Sequence, residues 1–234
     1  METKKAGMSP GNRLETGTVV LAAAQVVDVE LVKPRLTAFA SAQQSYAEAQ
    51  RNVETAEAQL VKGQARLSRC DAVQDDAVEA LARALLADGQ PRRNPFAAFG
   101  GAPPWAIKKL KAAPEAKAVH QLTGAVQRSN MVSKAVLEAA QAADAAARTV
   151  EAALLPIEKL QLALRDARHT RDAIGQTWNT ALAALKRGAR AAADDGAPGL
   201  YTALFGRLTR PNTRKNAKTP PAPPAPPAPA TNAA

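Results

Sequence analysis

Cysteine, histidine and paired carboxylates are the side chains that could do chemistry here, and this 234-residue chain has few of them. Its one cysteine, Cys70, excludes an intrachain disulfide and leaves too few thiols for most structural metal sites. His120 and His169 stand 49 residues apart, each on the outer side of the heptad pattern described below, and with Cys70 in the opposite half they make no metal-ligand spacing. Asp75-Asp76 and Asp194-Asp195 are adjacent pairs. Neighbours on a helix point to different faces, so neither resembles the facing carboxylates of acid–base catalysis. No glycine-rich phosphate-cradling loop occurs. The expectation is a non-enzymatic protein with no catalytic, metal or cofactor-binding residues and no small-molecule substrate.

The elements that carry these residues are read from composition and period. Aromatics make up 3% of the chain, and much of its 46% hydrophobic fraction is alanine. Alanine buries little area but is the best helix former, which favours long helices over a conventional globular core. From Phe39 every seventh residue reads Phe39, Tyr46, Val53, Leu60, Leu67, Gln74 and Leu81. Three residues after each come Ala42, Ala49, Ala56, Gly63, Cys70, Ala77 and Ala84, a uniformly small row. One large and one small seam repeating every seven residues identifies a coiled-coil helix, with Cys70 filling an alanine-sized hole.

A second series runs Leu122, Ser129, Val136, Ala143, Val150, Ile157, Leu164, Arg171, Trp178 and Leu185. Its companion row runs Ala125, Val132, Ala139, Ala146, Ala153, Leu160, Ala167, Ile174, Ala181 and Gly188. The 70 residues from Val119 to Gly188 would span roughly 105 Å as one helix. Val126, Ala140, Ala147, Leu154 and Leu182 widen this stripe beyond the need of a two-stranded contact, so a third helix or a second subunit should cover it. Gln74 and Arg171 interrupt their rows and are expected to fix register.

Between the series lies a stretch rich in glycine and proline, Gly89 to Pro104, which no helix can cross. Pro34 and Pro156 are equidistant from residue 95, so a hairpin turning there would place them at one level, each as a kink. The domain reading is then a disordered 1–16, a first arm 17–88, a basic aromatic tip 89–114, a second arm 115–195, a short amphipathic helix 196–210 and a tail 211–234. Residues 27–32 alternate like a strand, but nothing offers a second strand, and a helix continuing the hairpin is preferred. The fold class is all-α: a long antiparallel helical hairpin, an Ala-rich coiled coil, with a short additional helix and a disordered Pro/Ala-rich C-terminal tail. Residues 220–229 should form an extended polyproline II spacer of roughly 31 Å.

Charge separates from the coil. Residues 1–88 and 118–195 together are neutral, whereas 89–117 and 196–234 each carry a net charge of +5. The candidate interaction tip is Arg92, Arg93, Phe96, Phe99, Trp105, Lys108, Lys109 and Lys111; the candidate tail is Arg207, Arg210, Arg214, Lys215 and Lys218. Aromatic anchors among cations suit docking to an anionic membrane surface, nucleic acid or a protein, but the preferred reading is that the aromatics cap the coil and the 200–208 face folds back upon it. The apolar run 19–24 is too short for a signal peptide, and no stretch approaches the roughly 18–20 apolar residues of a membrane span. The sequence therefore predicts a cytoplasmic structural or scaffolding protein that self-associates or docks another helical protein through its arms. The alternatives are nucleic-acid binding through the basic segments, or association with an anionic membrane surface.

Overall fold

Two long helices dominate the computed structural model, which describes residues 8–209: α2 (Lys33–Ala87) and α5 (Lys134–Ala191). They pack against each other as an antiparallel hairpin. The heptad rows are the contact. Every seam position named in α2, and every one in α5 from Val136 onward, is buried or half-buried. Of the two interrupting polar residues in the rows, Arg171 reaches across to the other arm, its Nη1 donating to Gln50 Oε1 at 3.4 Å.

The pivot is not at residue 95. Gln43 faces Trp178, Glu57 faces Arg168, and the Ser133 backbone N–H donates to Asp88 Oδ2 at 3.0 Å. These pairings centre the hairpin near residue 110, so 88 and 133 adjoin and everything between them is an excursion from the apex. The proline mirror dissolves with it. Arg35 lies level with Gly188 at the base, whereas Pro156 lies in the middle, where Ile157 and Leu160 close over Gly63. Pro34 does not kink an arm either; it occupies the first turn of α2, where its missing N–H has no partner to lose. Pro156 sits inside α5, which continues through it, as the in-phase heptads predict.

Four shorter helices complete the ends, the shortest being α3 (Pro104–Ile107) at the apical end. Helix α1 (Pro10–Ala24) replaces the expected disorder over 10–16, residues 1–7 lying outside the described residues: Ser9 caps it by accepting from Asn12 N at 3.3 Å, and Pro10 opens its first turn. It stops at Gln25, and a short 3₁₀ turn (Glu30–Val32) leads into α2, so 17–33 is not one helix continuing the hairpin. The second arm is also divided. Helix α4 (Ala112–Gln127) ends before a turn at 128–133, and Ser133 caps α5 by accepting from Val136 N at 3.4 Å. The heptads Leu122–Ser129 and Ala125–Val132 therefore cross a break, because the turn happens to preserve phase. The final described element is α6 (Leu200–Phe205) with its closing 3₁₀ turn (Gly206–Thr209); Leu200, Leu204 and Phe205 fold back onto the coil. The predicted tail, 211–234, lies outside the described residues.

These additions fill the widened stripe from within the chain. Ala140 and Ala147 are covered by α4, which presents Ala116, Val119, Leu122 and Val126 at helical spacing. Leu182 is covered in the basal cluster with Val20, Trp178, Leu204 and Phe205. Two cores result, one at each end. Between them α2 and α5 run alone: no residue of 54–73 is buried, and Leu164 is the one buried residue of 154–174.

Candidate functional site

The excursion begins with a helix stop. Gly89 takes φ 88°, a left-handed conformation suited to glycine, and Gln90 N donates to Leu85 O at 3.0 Å to close the end of α2. Asn94 then holds the next loop together: its Oδ1 accepts from Phe96 N at 3.1 Å, and its Nδ2 donates to Gly101 O at 3.0 Å. The loop drives Phe96 into the apical core, where it is fully buried. A Cβ on Gly101 would stand 2.8 Å from Phe96 Cβ and 2.9 Å from Leu122, so the close approach requires glycine there. Phe96 is thus a cap on the coil, and Phe99 packs half-buried beside it.

The other candidates separate. Arg92 and Arg93 are exposed at the apex, just beyond α2. Helix α3 (Pro104–Ile107) lies lower, because Lys108 pairs with Glu79, eight residues from the end of α2. That is about 12 Å down the side of the hairpin. The pairing holds the Glu79 carboxyl below its ordinary range and the Lys108 ammonium above its own, chiefly through their shared hydrogen bond. Trp105 is 61% exposed, with Lys109 Nζ 5.0 Å from its ring centroid. Leu110, half-exposed, and Lys111 follow in the chain. The structure therefore joins Trp105 and Lys109 into one patch, leaves Lys111 exposed just before α4, assigns Phe96 to the core, and ties Lys108 to α2. Arg207 falls in the last described turn, and Arg210, Arg214, Lys215 and Lys218 lie outside the described residues.

A second constellation escapes the sequence rows. Glu115, in the first turn of α4, is 2% exposed and faces Asp71 and Asp75 of α2 beside the fully buried Gln74. Both polar atoms of Gln74 and one oxygen each of Asp71, Asp75 and Glu115 are buried without a hydrogen-bond partner of good geometry. Burial pushes the Glu115 carboxyl up to about 7, with the charges of Asp75 and Asp71 adding to it and the Gln74 amide opposing. Burial, then Asp75, also raises Asp71. Gln74 is therefore more than a register marker in the seam. Asp75 works with Glu115 across a helix interface, not with its neighbour Asp76.

On the other flank of α4, His120 is not on an outer face. Its Nδ1 lies 2.6 Å from Asp144 Oδ1 and its Nε2 lies 3.3 Å from Glu151 Oε2, both on α5. Thr123 Oγ1 donates to the same Asp144 oxygen at 3.3 Å, and Arg148 pairs with its other oxygen at 2.6 Å. Burial acts to raise the Asp144 carboxyl, but the His120 hydrogen bond and the Arg148 charge outweigh it and hold it below its ordinary range. His169 is exposed.

Among the described residues no group of three or more His, Cys, Asp or Glu side chains is arranged to hold a metal ion, and no helix is long and apolar enough to cross a membrane. Compared with known proteins, the chain matches no family model, no curated protein and no solved structure.

Proposed function

We propose that the chain is a non-enzymatic scaffold: a long helical hairpin that docks a partner through the Trp105 patch on the side of its apical end. The observation that carries this is the exposure of Trp105. Phe39, Tyr46, Phe96, Trp178 and Phe205 are each at most 1% exposed, so the fold buries large aromatics wherever a core can take them. Trp105 sits outward in a proline-opened turn beneath Lys109, and exposed Leu110 and Lys111 follow it in sequence. An amphipathic ring framed by cations is the pattern of an interface anchor. The partner class favoured is a protein with an acidic face, since the apolar part of the patch is small for insertion into lipid.

The wide stripe of α5 is already occupied by α4 and by the basal helices. Contacts through the arms therefore fall to the middle of the hairpin, where Val61 and Leu155 are 62% and 82% exposed. Self-association by that surface is the secondary part of the proposal.

The test compares wild type with Trp105→Ala/Lys109→Ser in affinity purification from the native host. Gel shift and liposome flotation across a salt series accompany it. Loss of a defined protein partner in the variant, with neither shift nor flotation, supports the reading. Partner sets that are identical in the two proteins overturn it. Salt-sensitive nucleic-acid binding or flotation that the variant loses moves the patch to the corresponding alternative.

A further inference from the structure

Helix α4 is attached to the hairpin in an unusual way. Its apolar row supplies the adhesion, but its first half is flanked on both sides by groups that bind protons. Towards α2, Glu115 is buried against Asp71 and Asp75, with Asp76 and Glu79 further along the same helix. On the strap that precedes α4, residues 101–111, Lys108 is already engaged by Glu79. Towards α5, His120 lies between Asp144 and Glu151, with Arg148 on Asp144. A ring with a carboxylate at each nitrogen is satisfied only when both nitrogens carry hydrogen. Lys111, just before α4, and Lys117, within it, are exposed.

We propose that α4 is a proton-dependent clasp, docked while Glu115 is neutral and loosened from its first turn when that carboxyl loses its proton. Ionised Glu115 would set a third carboxylate against Asp71 and Asp75, with the buried Gln74 amide beside it. For Glu115 the stabilisation is fully present below the ordinary carboxylate range and is lost as pH rises through about 7. The far end of α4, held by Leu122 and Val126 in the apical core, resists, so opening spreads from Ala112 and takes the strap with it.

Opening of this kind is read by amide hydrogen exchange, corrected for intrinsic rate, between about pH 5.5 and about pH 8.5. The expected result is a loss of protection in 112–127 of at least about tenfold over that interval, while 176–191 at the base of α5 holds steady. Glu115→Gln, which fixes the neutral form, should retain protection at the alkaline end. Asp75→Asn, which removes the opposing charge from the other helix, should do the same, and keeps the test open if the first variant fails to fold. Protection of 112–127 that is flat with pH overturns the proposal. So does a full alkaline loss that persists in both variants, or a loss shared equally by 176–191.

Discussion

Replacing Gly17 with alanine offers a sharp test of the basal packing, because the two relevant effects have opposite signs. Gly17 lies inside α1, where alanine is normally better by about 1 kcal/mol. Here a Cβ would fall directly on the side-chain amide of Gln43. That amide is committed: its Oε1 accepts from Trp178 Nε1 at 2.6 Å, and its Nε2 donates to the Leu14 carbonyl at 3.2 Å. To admit the methyl group Gln43 must swing away, leaving the indole N–H of a fully buried tryptophan unpaired at a cost of about 1–3 kcal/mol. The net expectation for Gly17→Ala is a loss of up to about 2 kcal/mol, or up to about 4–8 °C in Tm for a chain of this size. Urea and thermal unfolding followed by circular dichroism measure it. Removing the obstacle first with Gln43→Ala should reverse the sign, so that Gly17→Ala then gains up to about 1 kcal/mol. A stabilising Gly17→Ala in the wild-type background, or the same cost in both backgrounds, would refute the reasoning.

Further outcomes are expected elsewhere. Ser133→Ala removes the cap of α5 and should cost about 1 kcal/mol, measured by urea unfolding; an unchanged midpoint would mean that the Asp88 contact alone fixes the apex. Trp105→Ala should leave the unfolding midpoint within about 0.5 kcal/mol of wild type while removing partner binding, since its ring is mostly solvated. Acrylamide quenching should divide the fluorescence into one accessible and one protected tryptophan, Trp105 and Trp178, and a single accessible population would contradict the basal core. Stability should decline as pH rises from the ordinary Glu115 value of 4.5 to about 7, by at most about 3 kcal/mol, because the folded state holds the extra proton. Half-buried Asp71 and Asp75 admit water and reduce that figure, and Glu115→Gln should remove this component from a pH series of urea unfolding curves.

The hairpin was legible because its signal is periodic. Phe39 through Leu81 repeats over seven heptads, and little besides a helical seam produces a pattern that long. The same strength concealed the apex: Leu122, Ser129 and Val136 remain in phase across a turn, although Ser129, Asn130 and Ser133 are the residue types that interrupt and cap helices. Ser9-Pro10 was an equally readable start for α1, hidden by a short helix with little apolar content. Glu115 could not be singled out from the sequence. It reads as one acid in a basic stretch until the excursion returns it to Asp71 and Asp75, and that return is a tertiary event. Trp105 was legible as a candidate, but its separation from Phe96 was not, because burial of one and exposure of the other depend on how Asn94 folds the intervening loop.

The bare two-helix stretch between the cores has a mechanical consequence. Resistance to bending rises steeply with the width of a beam, and this molecule is thick at both ends and thin in the middle. Pro156 lies in that neck and removes one backbone hydrogen bond from α5 there. Thermal flexing should therefore concentrate near Gly63 and Pro156, and the two ends should swivel as separate heads on a short elastic joint. A load applied at one head would reach the other as a change of angle more than of length.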